Sequence, residues 1–174
     1  MRLATRWAVL FTILALGACG HGSGEPSPDA TPTVNPDDYF AHRGQITPLR
    51  TALGEIAFRP FIPAREIVET ALLPPYNGGD DVRQNRGIGF EYVQAHQSFV
   101  LSQWPGAGKN GPYQLGTERG CQLSAYDIAG GTTGHRGVLW SNGSIASNLV
   151  AAGNASDKAV YAEARRLVRL GACR

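Results

Sequence analysis

The chain has 174 residues, of which 43% are hydrophobic and 17% are charged, and it is long enough for a globular domain with a core. Its 16 basic residues exceed its 14 acidic ones by two. Arg2 and Arg6 account for that excess, so the rest of the chain is electrically balanced. A chain with balanced charge has no excess of positive charge to bind phosphate groups, so no nucleic-acid partner is expected.

Residues 1–18 have the pattern of an export signal. Arg2 and Arg6 flank the start of the chain and precede the apolar run WAVLFTILAL at 7–16. A run of about ten residues matches the apolar part of a signal peptide, whereas a membrane-spanning helix needs about twenty. We therefore expect residues 1–18 to direct export and not to form a permanent membrane span.

The end of this segment, LGAC at 16–19, resembles the lipobox of bacterial lipoproteins. The resemblance implies that Cys19 is diacylated, that the signal is removed so that Cys19 becomes the first residue, and that its amino group is often acylated as well. Two or three acyl chains would anchor the protein to a bacterial membrane, facing the periplasm or the cell exterior, where a single chain binds only marginally. The alternative is an ordinary secretory signal cut near Ala18, which leaves Cys19 free.

Residues 19–38 predict the lipidated cysteine followed by a disordered tether. The segment GHGSGEPSPDATPTVNPDD at 20–38 has Val34 as its single branched aliphatic residue. A segment this poor in apolar side chains cannot bury enough surface to order itself. Residues 39–174 show no second linker and no internal repeat, and we expect them to form one globular domain.

The first half of this domain predicts short strands. GEIAFRPFIP at 54–63 is typical of a strand, and REIVETALL at 65–73 fits either a strand or a short helix. IGFEYVQ at 88–94 and SFVLSQW at 98–104 flank a three-residue link and indicate a hairpin. RGCQLSAYDI at 119–128 alternates apolar and polar side chains, as expected for a strand with one buried face.

The second half contains the clearest elements. HRGVLWSNGSIASNLVA at 135–151 places Asn142-Gly143 between two apolar runs, and an Asn-Gly pair is the strongest short-range hairpin signal. An amphipathic helix follows, with Ser156 as its cap and Gly171 at its end. The expected fold is α+β: a single domain with one antiparallel β-sheet of about five to six strands and a C-terminal amphipathic helix packed on it.

Three cysteines are an odd number for an exported chain. If Cys19 carries lipid, Cys121 and Cys173 remain as one pair, and an oxidising compartment would join them in a disulfide. The disulfide would connect the strand that contains Cys121 to the end of the C-terminal helix. The alternative is a pair of reduced, buried thiols.

No motif in the chain predicts a cofactor or a metal. GAGKNG at 106–111 lacks the Gly-Lys-Ser/Thr ending of a phosphate-binding loop, because Asn110 follows Lys109. It is predicted to be a loop between strands. The histidines beyond the tether lie far apart in the sequence, whereas a metal site needs clustered ligands.

One candidate for catalysis is His135, which lies close in sequence to Ser124, Asp127 and Ser141. Serine, histidine and aspartate act together in hydrolysis, so a hydrolase with a site near His135 is one hypothesis. The alternative is a histidine on the surface or at a strand end. We predict no other catalytic residue, and the protein is not expected to be an enzyme.

Several aromatic residues lie on or beside the predicted strands and are candidates for contacting a ligand or partner. On a concave sheet they could line a groove for an acyl chain, a glycan or a peptide. The alternative is that they form the core beneath the helix. They are Tyr92, Trp104, Tyr113, Tyr126 and Trp140.

Between about Ile56 and Leu170 the chain contains, in order, FRPFIPARE, EYVQ, FVLSQWP, VLWSNGSIASNLVA, and ARRLV in the final helix. This order of features resembles the small lipoprotein- and sporulation-associated domain of unknown function DUF4367. GCQLSAYDIAGG and Cys173 are not parts of that pattern. The family implies an α+β domain with an antiparallel sheet, displayed outside the membrane, and it supplies no catalytic residues.

These features predict a membrane-anchored bacterial lipoprotein whose domain is a non-catalytic binding module for an envelope protein or an amphiphile. One alternative is a lipid- or amphiphile-carrier-like protein, in which the curved sheet and the helix enclose an acyl chain in an apolar groove. The hydrolase centred near His135 is the second alternative. A cleft with converging Ser, His and Asp side chains would distinguish that enzyme from the other two.

Overall fold

Strands account for most of the regular structure. The computed structural model describes residues 44–75, 85–128, 135–153 and 155–174, so Cys19, the predicted signal peptide at 1–18 and the predicted tether at 19–38 lie outside the described residues. The helices that lie wholly within these ranges are α1 (Leu49–Gly54) and α2 (Asp157–Leu167), and a π-helical turn, Val168–Ala172, continues α2. The strands are β1 (Gln45–Ile46), β2 (Glu69–Leu73), β3 (Gly87–Gln94), β4 (Gln97–Pro105), β5 (Tyr113–Glu118), β6 (Cys121–Asp127), β7 (Arg136–Ser141) and β8 (Ile145–Ala152).

The eight strands form one antiparallel sheet in the order β1-β2-β3-β4-β8-β7-β6-β5. The predicted single antiparallel sheet with a C-terminal helix is therefore confirmed. The expected number of five to six strands was wrong, and the described chain is mostly β. Strands β1 and β5 were missed because their side chains are largely exposed, so no apolar alternation marks them in the sequence.

The strand predicted at 54–63 is also absent from the described structure. The chain ends α1 at Gly54 and continues without regular structure until β2 begins at Glu69. Pro60 and Pro63 cannot donate a backbone hydrogen bond, which disfavours pairing with a neighbouring strand. A side chain takes the place of a neighbouring strand, because the buried Gln103 amide oxygen accepts the Phe61 N–H at 3.0 Å.

Both predicted hairpins are confirmed. β3 and β4 are joined through Ala95 and His96, whose φ angles of 51° and 61° are those of a tight turn between antiparallel strands. In the β7–β8 turn, the Asn142 side-chain oxygen accepts the backbone N–H groups of Ser144 and Ile145 at 2.9 and 2.8 Å. Local side-chain chemistry therefore fixes the register of β7 against β8.

One face of the sheet packs against α2 and contains the main core. Alternation along β2–β4 and β6–β8 turns apolar side chains to this face, where they meet the apolar side of α2. Ser156 caps α2, as predicted, and its hydroxyl oxygen accepts the Ala159 N–H at 3.3 Å. The largest side chains of this cluster, each at most 2% exposed, are Trp140, Tyr92, Phe90 and Phe99, with Ile88, Leu101, Leu123, Leu149 and Leu167 beside them.

A buried polar network joins this core to α2. The Tyr92 hydroxyl donates to Glu163 at 2.8 Å, and Glu163 accepts two hydrogen bonds from Arg166, both at 2.6 Å. Tyr92 is fully buried, and Glu163 is 5% exposed. Burial and the adjacent Glu163 carboxylate raise the pKa of Tyr92 well above its ordinary value, so its hydroxyl stays a hydrogen-bond donor.

The C-terminal end of the domain is attached to the sheet at several points. Cys121 and Cys173 form a disulfide with their Cα atoms 6.2 Å apart, which confirms the predicted pairing. The Trp140 indole N–H donates to the carbonyl of Ala172 at 3.1 Å, and the Asn142 amide donates to that of Arg174 at 2.9 Å. A covalent bond and two hydrogen bonds therefore connect this end to β6, β7 and the turn after β7.

Candidate functional site

The connection from β4 to β5, residues 106–112, has an unusual course. β8, β7 and β6 lie between the two strands that it joins, so it must cross the sheet. It does so on the face opposite α2, where Gly108 lies against Ala146. The Gly111 N–H donates to the buried Ser124 hydroxyl at 2.7 Å, and a side chain at Gly111 would collide with the Ala125 carbonyl. The predicted loop is confirmed, and it is packed on the sheet.

A pocket of about 350 Å³ lies between this connection and the sheet. Its volume falls within the range of about 300 to 1,000 Å³ that is typical of small-molecule sites. Strands β4, β6, β7 and β8 supply one side, and residues 108–112 supply the other. The sheet residues that line it are Trp104, Tyr126, Leu139, Trp140, Ala146, Ser147 and Asn148.

Two aromatic rings of the pocket are held in place by neighbouring strands. Trp104 lies over Gly87 of β3, and its indole N–H donates to the Pro74 carbonyl at 3.0 Å. Tyr126 lies over Gly137 of β7, and its hydroxyl donates to Asn148 at 3.0 Å. Any side chain at either glycine would overlap the ring, so each glycine fixes where an aromatic side chain can lie.

The structure divides the predicted aromatic candidates between two faces and the core. Trp104 and Tyr126 line the pocket as half-buried side chains. Tyr92 and Trp140 are 0% and 2% exposed and belong to the core beneath α2, although Trp140 also borders the pocket. Tyr113 begins the edge strand β5 and is exposed. The candidates therefore do not form one continuous groove.

Tyr113 belongs to a polar cluster on the α2 side of the sheet. Its hydroxyl donates to Asp127 at 2.7 Å, and the Arg136 guanidinium lies 4.2 Å from the centre of its ring. The hydrogen bond from Tyr113, with a further one from Arg136, lowers the pKa of Asp127 below its ordinary value. The backbone N–H of Arg136 also donates to Asp157 at the start of α2 at 2.9 Å, so this cluster connects sheet and helix.

The hydrogen bonds around His135 do not assemble a catalytic group. Ser124 accepts the Gly111 N–H, Asp127 accepts from Tyr113 and Arg136, and Ser141 donates to the Ile145 carbonyl at 3.0 Å. Within the described ranges, none of these three side chains hydrogen-bonds to His135. In the same ranges, no group of three or more His, Cys, Asp or Glu side chains is placed to hold a metal ion.

Comparisons with protein-family models, curated proteins and solved structures found no match to the chain. The resemblance to DUF4367 and to the lipobox therefore stays a prediction. No helix in the described part of the chain is both long enough and apolar enough to cross a membrane.

The sequence did not predict the pocket as a site. Trp104 and Tyr126 were aromatic candidates, but Leu139, Ala146 and Asn148 carried no signal of a shared site. Strand order brings them together, because β8 lies between β4 and β7. A partial signal was present in the glycines of GAGKNG, since a segment that crosses a sheet closely needs residues without side chains.

Proposed function

We propose that the chain is an exported bacterial lipoprotein whose folded domain is a non-catalytic binding module, and that the pocket beneath residues 108–112 is its site. The observation that carries the binding module is the pocket itself, which has room for a small ligand and fixed aromatic sides. Apolar area with a few placed polar groups is the usual composition of such sites. A ligand with an apolar body fits this composition. The lipid anchor is supported by the sequence LGAC at 16–19.

The geometry of the pocket supports the binding of a ligand. Trp104 and Tyr126 provide apolar area. The Trp104 N–H and the Tyr126 hydroxyl donate hydrogen bonds to Pro74 and Asn148. Ala146 is small and lies between the two aromatic side chains on β8, so space remains above the sheet. Side chains held in place before a ligand arrives lose little entropy when it binds, which favours affinity.

A substitution that fills the pocket should prevent the protein from carrying its ligand. Leu139 lines the pocket, and Leu139→Trp would place an indole in the space that the ligand needs. We expect this variant, purified gently from the native host, to retain less than about a tenth of the compound that the unaltered protein carries. Mass spectrometry of an organic-solvent extract measures the amount per protein.

A matched control separates loss of the site from loss of folding. Val93 lies on the same face of the sheet, is 51% exposed and does not line the pocket. Val93→Trp should retain the compound in full. Equal retention by the two variants would contradict the assignment of the pocket. A stoichiometric lipid in the extract, beyond the acyl chains on Cys19, would favour the carrier alternative.

The proposed anchor has its own test at Cys19. We expect Cys19→Ala to move the exported protein from the membrane fraction to the soluble fraction, because acyl chains would no longer attach it. The mature unaltered chain should begin at Cys19. Its measured mass should exceed the mass of the peptide by that of the attached acyl groups. An unmodified mature chain would support the ordinary secretory signal.

A further inference from the structure

We infer that the pocket selects an amphiphile with a single anionic headgroup, and that Lys109 binds this headgroup. The inference rests on the proposed function, because it names the class of ligand for the same pocket. The ligand would place its apolar body against Trp104 and Leu139 on the sheet. Its headgroup would face the connection that crosses the sheet.

The charge of the residues that line the pocket favours an anionic ligand. Twelve described residues line the pocket, and Lys109 is the one among them with a formal charge at neutral pH. No aspartate or glutamate is included in this lining. A pocket with one cation and no acidic group in its lining disfavours cationic ligands and favours anionic ones.

Lys109 is available to bind a ligand. Lys109 is exposed and forms no hydrogen bond or ion pair with any other described residue. Its ammonium is therefore not committed to a structural contact within the described chain. Asn110 follows it in the lining and carries an amide that can donate to the same headgroup.

The two sides of the pocket differ in charge. The sheet side combines the apolar Leu139 and Ala146 with the uncharged polar residues Ser147 and Asn148, whereas the charged residue Lys109 lies on the connection. A ligand that satisfies both sides has an apolar body and a charged end. Gly108 and Gly111 lie on either side of Lys109 and pack closely on the sheet, which holds the connection in position.

Two fluorescent probes with the same ring skeleton test the inference. Anilinonaphthalene sulfonate carries one negative charge, and N-phenylnaphthylamine is neutral. The titrations use the mature chain, residues 19–174 with Cys19→Ala, produced without the export signal and then oxidised, so that no lipid is attached and Cys121 can pair with Cys173 alone. We expect the anionic probe to bind about three- to tenfold more tightly, because an exposed lysine adds a modest charge-assisted contact.

Matched variants assign that preference to Lys109. Lys109→Met should abolish the preference and leave binding of the neutral probe unchanged, whereas Lys109→Arg should keep it. Lys158→Met is the control, since Lys158 is an exposed lysine on α2, on the other face of the sheet. Added salt should reduce the preference of the unaltered protein, because it screens exposed charges. Near-UV circular dichroism checks that each variant is folded.

The outcomes separate the inference from the proposed function. If both probes bind with equal affinity, or if Lys109→Met keeps the preference, the headgroup assignment is overturned and the pocket survives. If neither probe binds, or if Leu139→Trp and Val93→Trp bind both probes equally, the pocket is overturned as the site. Loss of the preference in Lys109→Met alone supports the inference.

Discussion

Replacing Cys121 and Cys173 together by alanine is expected to lower the free energy of unfolding by about 4 kcal/mol. The disulfide joins residues 52 positions apart, and closing a loop of that length restricts the unfolded chain by roughly this amount. The native structure should change little, because the hydrogen bonds from Trp140 and Asn142 still connect the C-terminal residues to the sheet. Urea denaturation of the oxidised protein and the variant measures the difference.

Reductant provides the control for this prediction. A thiol reductant should lower the urea midpoint of the unaltered protein to that of the double variant and should leave the variant itself unchanged. The slope of the transition should be somewhat steeper for the variant and for the reduced protein, because an unfolded chain without the disulfide is less compact and exposes more surface. An unaltered protein whose midpoint does not respond to reductant would show that the disulfide contributes nothing to stability.

Glu163→Ala is expected to cost about 3 kcal/mol, the lower end of the range for breaking a buried charge pair. The substitution leaves the Tyr92 hydroxyl without its acceptor inside the core and removes both hydrogen bonds that Glu163 accepts from Arg166. The loss stays at the lower end because the Arg166 side chain is 29% exposed and can gain water. Chemical denaturation at neutral pH measures it.

Two comparisons make the prediction about Glu163 specific. Glu118→Ala breaks the more exposed ion pair with Arg169 and should cost less than about 1 kcal/mol. Adding Tyr92→Phe to Glu163→Ala should cost less than the sum of the two single changes, since the hydroxyl left unpaired by the first change is gone. Additive losses would mean that Tyr92 and Glu163 do not act as a pair.

Local chemistry made part of the fold predictable. The Asn142-Gly143 pair predicted the β7–β8 turn, and Ser156 predicted the start of α2, because each effect operates within a few residues. The segment at 54–63 was mispredicted because its apolar side chains face the core without strand pairing. The spacing of apolar residues indicates which side chains are buried. It does not indicate which group forms hydrogen bonds with the backbone of the segment.

The candidate site was less predictable than the fold. Trp104 stood out as an aromatic residue at a strand end, but its partner Gly87 follows only from the register of β3 against β4. Lys109 and Asn110 were part of an ordinary loop in the sequence, since they approach the sheet only through its strand order. Pairings between distant strands bring these residues together, and one sequence does not specify such pairings.

The central position of β8 has a consequence for how the sheet is assembled. The last strand of the chain is inserted between β4 and β7, so both of these strands are unpaired edges until residues 145–152 arrive. Non-local pairing of this kind slows folding, and open edges of apolar strands promote association between chains. The nascent sheet therefore consists of two separate halves, and the final strand both unites them and removes the surfaces most prone to aggregate.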